Sequence, residues 1–226
     1  MTIKPPGEAP LDLNADATAS AVRIAITGAT ATGKTTLGRA LADRLAIPFI
    51  EEGLQPVVKA IADLERTRRA GGDMKDSFVA ARRSLLAYLA ERAKLYRDNA
   101  AFVSDRTVVD VLTRWMRHRL SGQDHTEFRA VVRQAQEALA LLDWIVVPPL
   151  VTLTQEQTNE AGLERLAHLQ ERLFIQSLLI GLLVQLAPRK LILIPRSAQS
   201  VEQRVAFVVD RIKRQRKGDP EYRGAG

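Results

Sequence analysis

Two rhythms of apolar and polar residues alternate along this chain. Short runs that are almost wholly apolar recur at Val22-Arg23-Ile24-Ala25-Ile26-Thr27, Ile47-Pro48-Phe49-Ile50-Glu51-Glu52, Ala101-Phe102-Val103-Ser104-Asp105-Arg106, Trp144-Ile145-Val146-Val147-Pro148-Pro149 and Lys190-Leu191-Ile192-Leu193-Ile194-Pro195. Runs of this length without strict alternation predict strands buried on both faces. Between them, apolar residues fall at helical spacing, as in Leu37, Leu41 and Leu45. This pattern predicts helices from the loop after the first strand to Ala46, over Gln55–Arg69, Asp76–Asn99 and Thr107–Leu120, and from an N-cap at Thr126 to Leu142. Gly71-Gly72-Asp73 and Ser121-Gly122 act as breakers. Asn159–Ala187 reads as mostly helical, and Ser200-Val201-Glu202-Gln203 fits a capping box that opens a last helix to about Lys217.

Strands alternating with helices define an α/β fold with a parallel sheet covered on both faces. The length of 226 residues suits one domain with a small lid, and a hydrophobic fraction of 46% can fill its core. Residues 1–20 read as a flexible leader, 21–217 as the domain with a lid region at about 150–170, and 218–226 as a flexible tail. Leu173 to Leu186 is the most apolar late segment, but Gln176, Ser177 and Gln185 interrupt it. It is shorter than the roughly 20 residues of a membrane span, so a buried helix is expected and no membrane partner.

Composition narrows the chemistry. The chain has no cysteine, which excludes disulfides, thiolate metal sites and cysteine nucleophiles, and suits a cytoplasmic location. The net charge of +7 is unevenly placed: Arg211 to Arg223 holds six bases against two acids. Such a tail can touch nucleic acid, although a solvated helix end suited to the helix dipole is the simpler reading.

One stretch carries specific chemistry. Gly28-Ala29-Thr30-Ala31-Thr32-Gly33-Lys34-Thr35 fits G-x-x-x-x-G-K-[ST] and lies between the first strand and first helix, as a phosphate-binding loop requires. Its backbone amides cradle phosphates, Lys34 adds a point charge, and the Thr35 hydroxyl reaches Mg²⁺; Thr36 beside it is a further nucleotide-binding candidate. A glycine turn alone would not explain Lys-Thr after the second glycine. In an open α/β sheet, ligands sit at the carboxyl ends of strands, and Glu51-Glu52 and Asp105-Arg106 both fall there. Glu52 (or Glu51) is placed to accept an acceptor hydroxyl's proton, Asp105 to hold Mg²⁺ through water, and Arg106 to bind a phosphate. His118, His125 and His168 lack metal-ligand spacing, and Trp115 and Trp144 read as packing.

These motifs resemble the P-loop kinase branch of small-molecule and nucleotide kinases. In particular they resemble the AAA-type ATPase/kinase domain family that includes ribosylnicotinamide kinase domains. The likeness covers about Val22 to Ile212: the loop at Gly28–Thr36, the strand ending in Glu52, Ser104-Asp105-Arg106 followed by Asp110, the Asp143-to-Pro149 strand, and Ser200–Arg204. The resemblance implies a P-loop NTPase three-layer sandwich, with a sheet of about five strands in the order 2-3-1-4-5. It also implies ATP with Mg²⁺, a lid between strands four and five, and γ-phosphoryl transfer to a small acceptor, often a nucleoside. Arg165 in the lid and Arg196 after the last strand are the further nucleotide-binding candidates. Two departures stand out: Gln55 where the family often has arginine, and an acidic, polar lid segment at Thr154–Glu160.

The residues thus support a kinase of a small hydroxyl-bearing metabolite, a nucleoside or nicotinamide riboside-like acceptor first among them. The competing reading is a P-loop ATPase acting as a switch with a protein or nucleic-acid partner. A degenerate module without turnover is disfavoured because Lys34, Thr35 and Asp105 are all present. Oligomeric state is open at this level.

Overall fold

A computed structural model describes residues 22–121, 126–150 and 169–216. Its centre is a parallel sheet of β1 (Arg23–Ile26), β2 (Phe49–Ile50), β3 (Phe102–Asp105), β4 (Trp144–Val147) and β5 (Leu191–Leu193), in the spatial order β2-β3-β1-β4-β5. Helices α1 (Lys34–Leu45), α2 (Gln55–Arg69), α3 (Lys75–Asp98), α4 (Val109–Arg117), α5 (Thr126–Ala140), α6 (Leu169–Leu186) and α7 (Val201–Arg216) surround it. The register aligns Ile26 with Asp105 and Ile50 with Ser104, so the polar ends of β1, β2 and β3 finish at the same level.

Alternate strand residues feed two cores. Ala25, Phe102, Ile145 and Val147 pack with residues of α2 to α6, while Ile24, Ile26, Val103 and Val146 pack with α1 and α7. Strand side chains project to opposite faces in turn, and each fully buried isoleucine contributes about 1.5–3 kcal/mol. The continuous apolar runs in the sequence are therefore strands sandwiched between two helical layers.

Element boundaries differ from expectation where backbone geometry intervenes. Helix α4 stops at Arg117 rather than Leu120, because Arg119 takes a left-handed φ of 53°. Strand β2 holds only two residues and leaves Glu51 and Glu52 in the turn before Gly53, whose φ is 60°. Thr126 is the first helical residue of α5, not the residue before it. The capping box is present: Ser200 Oγ accepts from the Gln203 amide (3.2 Å) and Gln203 Oε1 from the Ser200 amide (3.1 Å).

Helix α6 corrects a stronger expectation. It is long and apolar enough to cross a membrane by length and composition, but it is not a buried helix. Arg172, Gln176, Leu179 and Leu183 face inward, while Leu169, Leu173, Phe174 and Val184 are exposed. A helix apolar on nearly every side has no periodicity to show which face will be covered.

Candidate active site

The loop between β1 and α1 is shaped by its own glycines and clamped from outside. Gly28 and Gly33 have φ of 146° and 79°, values that a side chain resists. Its carbonyls are then taken one by one. Arg106 donates to Gly28 O (3.1 Å), Arg172 to Thr30 O (3.1 Å) and Ala31 O (3.3 Å), and Arg204 to Thr32 O (3.2 Å). Gln176 on α6 accepts from the Ala29 amide at 2.8 Å and donates to Pro148 O at 2.9 Å, joining the loop to the end of β4. With its carbonyls occupied, the loop has amides left to offer an anion.

Lys34 opens α1 with its side chain buried against the loop, where Nζ donates to Ala29 O at 2.7 Å. Burial, then the positive charge of Arg106, lowers its pKa to about 7. An arriving phosphate would restore that charge. Beside it, Thr35 Oγ1 donates to Asp105 Oδ2 at 2.5 Å. Asp105 Oδ1 is buried with no hydrogen-bond partner among the described residues, and burial raises the carboxyl's pKa against the pull of Thr35, Lys34 and Arg106. A hydroxyl beside a carboxylate with a spare oxygen is the hard, all-oxygen donor set that suits Mg²⁺ with several waters retained.

Arg106 joins the acidic clusters. Its backbone is left-handed (φ 77°), an uncommon state for a side-chain-bearing residue. From there its guanidinium meets Asp110 Oδ1 at 2.9 Å and Glu52 Oε2 at 3.3 Å, besides Gly28 O. Burial opposes its charge, but Asp110, Glu52 and Asp105 outweigh that cost and hold the group charged. Asp110 is fully engaged by Thr27 (2.7 Å), the Thr107 amide (3.1 Å) and Arg106, which keep it ionised despite burial. Asp110 is thus a brace for Arg106.

The two glutamates separate. Glu51 pairs with Arg39 at 2.7 Å on the surface, both side chains more than 60% exposed. Its backbone carbonyl accepts from the buried Arg92, which also reaches Ser104 Oγ at 3.0 Å. Glu52 instead lines a cleft of about 730 Å³ together with Thr30, Lys34, Thr35, Arg106 and Arg114. Ala31, Gly33, Thr36 and Gln55 line the same cleft. Arg196 stands exposed in the turn after β5 and is not part of its lining. Residues 151–168 of the lid, with Arg165 and His168 among them, and His125 lie outside the described residues.

Several site residues escaped the sequence reading of the loop. Gln176, Arg172 and Arg204 are not among the supports the sequence predicts for it, and Arg92 and Arg114 are not singled out. Arg172 and Gln176 continue the inward stripe of Leu179 and Leu183 on α6, a stripe that the sequence leaves unmarked because apolar residues surround the helix. Polar residues on an otherwise buried helical stripe need partners there.

The sheet order and the phosphate loop at the carboxyl end of β1 define a P-loop nucleotide kinase-like NTPase. A family model described as an AAA domain matches residues 23–204, and the chain belongs to that family. No curated protein matches the sequence. Among solved structures, the chain resembles YorR of Bacillus subtilis, crystallised with phosphorylated GDP, at a TM-score of 0.54 and 11% identity, covering 86% of this chain and 97% of that one. Deoxyadenosine kinase from M. mycoides with dATP gives 0.54 and 14%, over 85% and 99% of the two chains. NadR in complex with NR gives 0.50 and 15%, over 92% of this chain and 51% of that one. At these identities the likeness speaks for the fold.

Proposed function

We propose that the protein transfers the γ-phosphoryl group of ATP to a small metabolite, with nucleosides and nicotinamide riboside the first acceptors to test. The observation that carries this reading is that Lys34, Thr35, Glu52 and Arg106 all line one cleft. Phosphoryl transfer needs charge neutralisation at one side and an acceptor-orienting group at the other. The fold the chain shares with deoxyadenosine kinase, and with NadR in complex with NR, adds support for transfer to a small molecule.

In this scheme Lys34 exchanges its bond to Ala29 O for phosphate oxygens. Bound Mg²⁺, held by Thr35 and by Asp105 through water, would neutralise charge on the phosphates. Glu52 accepts the proton of the acceptor hydroxyl as its oxygen bonds to the γ-phosphorus. The bond between that phosphorus and the bridging oxygen breaks, and its electron pair leaves on ADP. Arg106, held charged by Asp110, steadies the transferring group. Incubation with ATP, Mg²⁺ and a panel of nucleosides, nucleotides and sugars, read by mass spectrometry, tests the reading. A phosphorylated product is expected, and ADP formed at one rate with every member and with none would overturn it.

The exposed apolar side of α6 favours a second reading, a P-loop ATPase that signals to a protein partner. That reading predicts hydrolysis without any acceptor.

A further inference from the structure

A second, smaller space adjoins the cleft. A cavity of about 80 Å³ lies beside the phosphate loop, between α4 and α6. It shares Thr30, Arg106, Arg114 and Glu171 with the cleft, so the two spaces meet at that edge. A water needs roughly 10–15 Å³ on this measure, so there is room for several waters or one phosphate-sized group.

The lining is strongly cationic: Arg106, Arg114, Arg117 and Arg172 against Asp110 and Glu171. Most of these charges are spoken for. Asp110 binds Arg106, Glu171 binds Arg117, and Arg172 holds loop carbonyls. Arg114 differs. Its Nε is buried and has no hydrogen-bond partner among the described residues. On the facing helix α3, the Tyr88 hydroxyl is likewise buried and without a hydrogen-bond partner among the described residues. Orphaned buried donors are rare, because each forfeits its hydration without return. Arg114 stands one helical turn beyond Asp110 and lines both the cavity and the cleft that holds Glu52.

We propose that Arg114, flanked by Arg117, binds an oxyanion of the acceptor, so that the acceptor is a metabolite carrying a phosphate or carboxylate group. This rests on the phosphoryl-transfer reading above and moves the expected acceptor from nucleosides and nicotinamide riboside to the anionic members of the panel. The transferring γ-phosphoryl is the other source of such an anion. Lys34 lines the cleft but not the cavity, which sets the cavity apart from the lysine end of the phosphate site. A guanidinium is also the group best shaped for two-pronged binding of either oxyanion.

Calorimetric titration of inorganic phosphate into the full chain, saturated with Mg·AMP-PNP, tests the proposal. One phosphate per chain is expected, weakened about 10- to 100-fold in Arg114→Gln and partly retained in Arg114→Lys. Arg117→Gln should weaken it a few-fold, and it decides the matter if Arg114→Gln fails to fold. In turnover, acceptor pairs differing only by an anionic group (a nucleoside and its monophosphate, a sugar and its phosphate) should favour the anionic member in kcat/KM. That preference should shrink in Arg114→Gln. Phosphate that binds the Mg·ADP form but not the Mg·AMP-PNP form would assign the site to the γ-phosphoryl and overturn the proposal. Equal phosphate affinity in Arg114→Gln and the parent would overturn it too, with the kinase reading intact. Failure of Mg·AMP-PNP itself to bind would instead remove the kinase reading beneath it.

Discussion

The two walls of the cleft are built differently. On the loop wall, side chains from β3's end, α6 and α7 converge on backbone atoms: Arg106, Arg172, Gln176 and Arg204 fix five consecutive residues from outside. On the opposite wall, Glu52 is 37% exposed, Gln55 opens α2, and Arg114 has a buried nitrogen without partner. On the loop wall the backbone is fixed and its carbonyls are engaged before any ligand arrives, whereas on the opposite wall side chains hold unmet bonding capacity. A triphosphate needs the same cradle whatever is attached to it, so rigid backbone serves it. An acceptor must be chosen among many, and side chains with unmet bonding capacity make that choice.

Removing the charge at the loop wall should have the largest effect. Lys34→Ala is expected to lower kcat/KM about 10³-fold, comparable to losing an oxyanion donor, with the chain still folded by circular dichroism. On the opposite wall, Glu52→Gln should lower kcat about 10²-fold with little change in nucleotide affinity. Glu51→Gln is the matched comparison and should leave turnover within twofold, since its pair with Arg39 is a surface pair. Reversed effects for the two glutamates would move the base to Glu51 and dissolve the contrast drawn between the walls.

Gln176→Ala probes the clamp itself. It orphans the Ala29 amide and the Pro148 carbonyl, both buried, and should cost about 1–3 kcal/mol in denaturant unfolding. Nucleotide affinity should fall with it, because the loop loses one of its fixed points. Were affinity unchanged, the clamp would serve stability alone.

The smallest effect is a proton. With a pKa of about 7 in the free protein, Lys34 is mostly neutral at pH 8 and mostly charged at pH 6. Phosphates raise that pKa, so nucleotide binding should take up close to one proton at pH 8 and almost none at pH 6. Calorimetry in two buffers of different protonation enthalpy reads this directly. Absence of uptake at pH 8 would show that Lys34 is already charged in the free loop.

Much of the loop wall was legible before any coordinates. The Gly28–Thr35 spacing, the apolar run before it and the helical spacing after it are local, so strand, loop and helix could be read in order. Helix α2 falls on Gln55–Arg69 as its pattern predicts. The capping box at Ser200 and Gln203 likewise needs only four residues in a row. Even the strand-end positions of Glu52 and Asp105 follow from the ends of apolar runs.

What sequence alone could not settle depends on contacts across long stretches of chain. Gln176 meets Ala29 from 147 positions away, and Arg204 meets Thr32 from 172. The choice between Glu51 and Glu52 was made by the edge turn, which sends one to Arg39 and the other to Arg106. The covered side of α6 was hidden because apolar residues surround it, and only packing against α4 and the loop chose a face. Composition and local spacing therefore determined that the chain carries a phosphate-loop motif on a parallel α/β sheet. Tertiary structure decided which side chains support the loop and which carboxylate enters the cleft, because those outcomes depend on which helix faces the folded sheet covers.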